Sequence, residues 1–86
     1  MFLYQWQFVR NIVIDEDYIV FMEGCHGDDG QWLYRWRSTS PNGCTDYGAG
    51  YPTPYDHDAY RGGIEESDRL DDLFEENQDG DIEDDV

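Results

Sequence analysis

The sequence predicts an α+β fold: a small three- to four-stranded antiparallel meander with one acidic helix at its C-terminal end. Three observations carry that expectation. Period-two alternation of aromatic and apolar residues dominates the first half of the chain. Short, turn-rich connections separate those runs, and short connections favour antiparallel neighbours. After Ile64 the apolar spacing changes to i, i+3, i+4, the period of a helix. With 86 residues, the chain has material for one domain.

The first strand is expected over residues 2–9. Phe2, Tyr4, Trp6 and Phe8 alternate with smaller or polar neighbours, and Ile12-Val13-Ile14 extends the run past a bulge near Asn11. Asp15-Glu16-Asp17 reads as a polar turn. Tyr18 to Met22 is β-branched and aromatic, which suits a second strand. Gly24 to Gly30 is rich in Gly and Asp and reads as a connection. The third strand is expected from Gln31 to Thr39. Trp32, Tyr34 and Trp36 fall on one face, and Leu33, Arg35 and Arg37 fall on the other. Arg35 and Arg37 are expected to pair with acids near them.

Ser40-Pro41-Asn42-Gly43 is a β-turn sequence, with Pro pre-setting the first central residue. Residues 44–63 hold Gly48, Gly50, Pro52, Pro54, Gly62 and Gly63, together with Tyr47, Tyr51, Tyr55 and Tyr60. This stretch reads as an irregular tyrosine-rich loop packed over the sheet, with room for a short strand that the sequence does not place. The helix is expected over residues 64–76, docking through Leu70, Leu73 and Phe74. Gly63 and Glu66 form a weak capping pattern, and Glu65 and Glu66 suit the positive N-terminal end. Asn77-Gln78-Asp79-Gly80 is expected to end it. The domain would then cover residues 1–76, with an acidic tail over residues 77–86.

Charge narrows the functional classes. The chain has 21 acidic residues against 5 arginines, no lysine and a net charge of −16. Residues 1–45 carry −3 of that and residues 46–86 carry −13. Direct binding to nucleic-acid phosphates needs Lys and Arg to release counterions, so it is excluded as a main activity. Binding to an anionic membrane surface is excluded for the same reason. Aromatic residues make up 16% of the chain, which argues against full disorder. No apolar run approaches the roughly 18 residues of a membrane span. Met1 to Trp6 lacks the basic and apolar regions of a signal peptide, so a cytoplasmic location is expected.

The helical segment holds the most informative pattern. Glu65, Asp68, Asp72, Glu75 or Glu76, and Asp79 recur every three or four residues, the spacing of neighbours on one helix face. Leu70, Leu73 and Phe74 are expected to point the other way. Like charges at this spacing destabilise a helix by a few tenths of a kcal/mol per pair. Residues 65–86 hold 12 acids. If all of it were helical, that would be about one charge per 2.7 Å of axis, against about one per 1.7 Å for duplex DNA. The expected partner-binding residues, each standing in for a phosphate, are Glu65, Glu66, Asp68, Asp71, Asp72, Glu75, Glu76 and Asp79. Asp28 and Asp29 in the second connection, and Asp15 to Asp17 in the first, extend the track. The plain alternative is a solvated acidic tail.

Other constellations are weaker. Glu75, Asn77, Asp79, Gly80 and Ile82 follow part of a calcium-loop pattern, but its twelfth position would be Val86, which is not a carboxylate. Cys25, His26, Cys44 and His57 lack zinc-ligand spacing. Cys25 and Cys44 are expected to be free thiols in a cytoplasmic protein. Asp56-His57-Asp58 places acids beside a histidine, yet adjacent loop residues do not define a base and nucleophile. Trp32, Tyr34 and Trp36, with Tyr4, Trp6 and Phe8, are better used as a covered core face than as a stacking platform. No catalytic residue, metal site or cofactor is expected.

The expected function is therefore a small acidic inhibitor that imitates nucleic-acid charge. It would block the basic cleft of a nucleic-acid-binding protein or complex, as a monomer or small homo-oligomer. In size, acidity and aromatic content the chain is similar to the phage-encoded anti-restriction, anti-CRISPR and glycosylase-inhibitor proteins as a class. No single motif carries that likeness. The resemblance implies action in the cytoplasm of a host cell. Two alternatives come from other classes: an acidic or halophilic interaction module whose charge serves solubility, and a small sugar- or peptide-binding domain with exposed Trp and Tyr.

Overall fold

A computed structural model describes the backbone of residues 5–83 and the side chains of residues 5–74. Four strands and one helix follow one another: β1 (Gln7–Ile14), β2 (Ile19–His26), β3 (Trp32–Thr39), β4 (Asp46–Ala49) and α1 (Asp56–Glu83). The strands form one antiparallel sheet in sequence order, and α1 packs across one face of it. This is the expected α+β meander with a C-terminal helix.

β1 begins at Gln7, later than the alternation implied; Phe2 and Tyr4 lie outside the described residues. Its pairing with β2 is interrupted twice, between Phe8 and Arg10 and between Asn11 and Val13. Each interruption inserts one residue that has no partner opposite it, a β-bulge. The register of β1 overturns one expectation. Phe8 pairs with Glu23, and Glu23 pairs with Arg35, so these three share the face turned away from the helix. The Trp6 ring lies 4.2 Å under the Arg35 guanidinium. Trp6 and Phe8 therefore accompany Arg35, not Trp36. Arg35 bonds Glu23 at 2.9 Å and Arg37 bonds Asp46 at 2.6 Å, the pairing expected for both.

β2 runs further than expected, through Gly24 to His26. Gly24 is a strand residue because the Trp32 indole lies over it: a Cβ there would be 2.6 Å from Nε1. The turn to β3 closes with a bond from the Gly27 amide to the Gln31 carbonyl at 2.7 Å. At the next turn the Gly43 amide donates to the Ser40 carbonyl at 2.9 Å, as the Pro-Asn-Gly sequence implies. The unplaced strand is β4, with Gly48 opposite Ser38. Beyond it, Thr53 exchanges two backbone hydrogen bonds with Tyr34.

The helix starts eight residues before the expected position, at Asp56. Gly62 and Gly63 do not break it. They sit where it crosses the sheet. A Cβ on Gly62 would be 2.7 Å from the Trp36 ring, and one on Gly63 would be 2.6 Å from Ile12 Cδ1. Each Gly costs about 1 kcal/mol of helix propensity relative to Ala, offset here by close packing. The helix also continues past Asn77-Gln78-Asp79-Gly80 to Glu83; Gly is tolerated within a helix, whereas Pro is not.

The core is built from Tyr18, Val20 and Leu70, with Ile12, Val13, Trp36, Tyr47 and Phe74 packed on them. The Tyr18 and Phe74 rings stack with centroids 6.1 Å apart. Leu73 departs from the expected docking stripe and is 44% exposed. At about 100° per residue, the buried stripe runs through Ala59, Gly63, Glu66, Ser67, Leu70 and Phe74, and Leu73 lies at its margin.

Candidate partner-binding site

The outer face of α1 follows from that stripe. Asp58, Arg61, Glu65, Asp68 and Asp72 fall opposite it and are exposed. Among the described residues, Glu65, Asp68 and Asp72 have neither a side-chain hydrogen bond nor an ion pair. Their charge faces water only. Asp58 and Arg61 were not foreseen there, because the helix was expected to begin after them. Arg61 interrupts the acidic row with a positive charge.

Two acids of the expected row turn elsewhere. Glu66 is 7% exposed. It accepts a hydrogen bond from Ser38 Oγ at 3.0 Å and two from Arg69, at 2.9 and 2.7 Å. Those bonds raise Arg69 above its ordinary pKa. Glu66 is thus a buried strut between helix and sheet, and the phosphate-like role expected of it does not fit this placement. Helical periodicity carries the reason: Glu66 falls one turn from Leu70, on the buried side. Asp71 is exposed, yet its Oδ1 accepts the Tyr18 hydroxyl at 2.5 Å. Burial, then the Asp71 carboxylate, push the Tyr18 phenol well above its ordinary pKa.

The turns separate into two groups. The helix runs antiparallel to β2, so Asp71 lies at the Tyr18 end of that strand. Asp15, Glu16 and Asp17 immediately precede Tyr18, and the charge of Asp15 acts on the same phenol. The first turn and the Asp68–Asp72 segment therefore share one end of the sheet. Asp28 and Asp29 follow His26, at the opposite end of β2, and do not continue this patch. Asp29 also uses Oδ1 to accept the Gln31 amide at 2.9 Å. Glu75, Glu76 and Asp79 lie outside the described side chains.

The patch so assembled contains Asp15, Glu16, Asp17, Glu65, Asp68, Asp71 and Asp72. The nearest described arginine on the helix, Arg69, is occupied by Glu66. Over residues 65–74 the fully free carboxylates are three, or about one per 5 Å of helix axis. That is sparser than the sequence count implied, because burial and the Tyr18 bond divert two of the five acids.

Cys25 is buried on β2 and Cys44 is exposed beyond the β3 turn, both as free thiols. Burial pushes the Cys25 thiol up. His57 stands on the first turn of α1, with ring nitrogens 3.9 Å from Asp56 and 3.5 Å from Asp58. Among the described residues, no group of three or more His, Cys, Asp or Glu is placed to hold a metal ion. None of the described helices is long and apolar enough to cross a membrane.

A groove of about 340 Å³ opens beside the same helix turn. Val9 and Arg10 of β1, Met22 of β2 and Tyr34 of β3 line it from the sheet; Asp56, His57 and Tyr60 line it from the helix. The Arg10 guanidinium sits 5.0 Å over the Tyr60 ring. Sequence reasoning missed this site, since it depends on a bulge and on a helix start that the sequence does not locate. Compared with protein families, curated proteins and solved structures, the chain matches none.

Proposed function

We propose that this protein is a small inhibitor that imitates nucleic-acid charge and acts by occupying a basic cleft. Its partner is a nucleic-acid-binding protein or complex of the kind blocked by phage anti-CRISPR, anti-restriction or repair-enzyme inhibitors. It acts by obstruction, without chemistry of its own, in the cytoplasm of the cell where its target works. The observation that supports this reading is the row of unpaired carboxylates Glu65, Asp68 and Asp72 on the outer face of α1, whose Asp71 turn lies beside Asp15–Asp17.

Physical considerations favour a partner over bulk solvation. The carboxylates rise along a helix that is packed onto the sheet and bonded to it through Glu66 and Asp71. They are therefore presented from a fixed backbone. Glu65, Asp68 and Asp72 are separated by axial steps of about 4.5 and 6 Å, against about 3.4 Å between phosphates along one DNA strand. The spacing is of the same order but looser. It suits long-range attraction and Arg–carboxylate contacts in a basic groove, not a phosphate-by-phosphate copy.

The test is binding and inhibition against a panel of purified restriction nucleases, CRISPR effectors and repair glycosylases. Asp68→Lys with Asp72→Lys should abolish inhibition while the circular dichroism spectrum and melting temperature persist. Binding by the native chain should weaken steeply as salt rises, and the chain should remain folded at low salt. Unchanged inhibition by the double variant would remove the helix face from the mechanism. Unfolding at low salt would instead favour the halophilic alternative, in which carboxylates repel until screened.

A further inference from the structure

The groove at the start of α1 has a lining with a definite chemical preference. The bulge between Phe8 and Arg10 brings two successive residues, Val9 and Arg10, to the same cavity. Met22, only 2% exposed, and Tyr34 form its sheet side. Tyr60 and His57 form its helix side. A guanidinium, a thioether, two phenols and an imidazole around one cavity suit an aromatic ring. Arg offers a cation to a ring face, Met sulfur packs at ring edges, and the Tyr and His rings stack in tilted geometries. At about 340 Å³ the volume is at the small end of ligand sites, and one aromatic side chain fits it.

Arg35, Arg37 and Arg69 are each paired with a carboxylate. Among the described residues Arg10 and Arg61 have no ion pair, and of these two Arg10 lines the cavity, together with Asp56. Its described contact is with the Tyr60 ring at the groove wall.

The surroundings specify the rest of the occupant. On the helix, His57, Tyr60, Ile64, Asp68 and Asp71 fall along one flank at about 100° per residue. That flank leads from the groove to the acidic patch. The rise from His57 to Asp68 is about 16 Å, which an extended chain covers with about five residues. Arg61 lies beside this path on the outer face and disfavours a cation at that point. The complementary ligand is thus an aromatic residue separated by a short neutral spacer from a cluster of basic residues.

We propose that the groove anchors an aromatic side chain of the basic partner, whose cationic residues then lie on the Asp68–Asp71 turn in the middle of the helix. This rests on the proposed acidic-face function and adds a position-specific contact to it. Charge complementarity chiefly steers association, whereas an anchor seated in a pocket chiefly slows dissociation.

Two acetylated peptides test it by calorimetry on the full chain. One has Phe, a Gly-Ser spacer of about five residues and then a run of Arg; the other has Ala in place of Phe. The native protein should bind the Phe peptide roughly tenfold or more tighter, from the burial of one aromatic ring. Val9→Trp, which fills the groove from an exposed strand position, should reduce the Phe peptide to the affinity of the Ala peptide and leave the Ala peptide unchanged. Asp68→Lys with Asp72→Lys should weaken both. An intermolecular nuclear Overhauser effect from the Phe ring to the Met22 methyl group needs no variant and reports the same placement. Equal affinity of the two peptides, or no such effect, overturns the anchor while leaving the acidic face intact. Failure of both peptides to bind overturns both.

Discussion

Gly63→Ala separates helix propensity from packing as the reason for the glycine pair in α1. An added Cβ would lie 2.6 Å from Ile12 Cδ1, 3.2 Å from Val20 Cγ1 and 3.3 Å from Trp36 Cβ. Two effects oppose each other. Alanine in a helix interior is favoured over glycine by about 1 kcal/mol. Overpacking a core costs about 1–3 kcal/mol. The geometry decides between them. Ile12 Cδ1 is the end of a flexible side chain and can swing aside. Val20 is fully buried and β-branched, so its rotamer is restricted. Trp36 Cβ is attached directly to the backbone. Two of the three contacts therefore yield only if the helix lifts from the sheet, which also disturbs Leu70 and the Glu66–Ser38 bond. Set against the propensity gain, this leaves a net loss of up to about 2 kcal/mol, lowering the melting temperature by up to about 15 °C. Thermal melting by circular dichroism, with urea titration as a second measure, reads this. A raised melting temperature would refute the packing account and leave propensity as the governing term.

Two further outcomes follow from the buried polar contacts. Glu66→Ala should destabilise by about 1–3 kcal/mol, because it takes an acceptor from the buried Ser38 hydroxyl and a partner from Arg69. Glu65→Ala, one residue away but on the outer face, should stay within about 0.5 kcal/mol, and equal melting shifts for the two would contradict the assignment of faces. Tyr18 carries a pH dependence. Its folded-state pKa is raised, so the neutral phenol is the form that folding favours. That contribution is complete below the unfolded value of about 10 and declines as pH rises above it. Tyr18→Phe should flatten the loss of stability in alkaline urea titrations; an identical alkaline decline in both proteins would rule out this source.

Much of the fold was legible because its signals are local. Alternation around Trp32, Tyr34 and Trp36 marked β3 and its faces, and Ser40-Pro41-Asn42-Gly43 marked the following turn. The run Tyr18 to Met22 marked the start of β2. Less legible was anything set by a distant contact. Gly24, Gly62 and Gly63 resemble breakers in sequence. In the structure they are places where Trp32, Trp36 or Ile12 approaches the backbone. A missing Cβ is ambiguous until its neighbour is known.

The candidate face divides in the same way. Composition by itself determined the net charge of −16, which needs no coordinates; the basic partner proposed for it follows from charge complementarity. The sequence also located the excess of charge after residue 45. Tertiary structure decided which acids remain available. Glu66 is withdrawn because the helix rotates it onto Ser38, and Asp71 is half-committed because Tyr18 reaches it from the sheet. The first turn lies beside the Asp68–Asp72 segment, and Asp28 and Asp29 are sent to the other end of β2, through strand direction alone. The bulge between Phe8 and Arg10 set Phe8 on the open face and gathered Val9 and Arg10 at one groove. Charge is additive along a sequence. Which way a carboxylate points depends on register, helix rotation and the partners that burial provides.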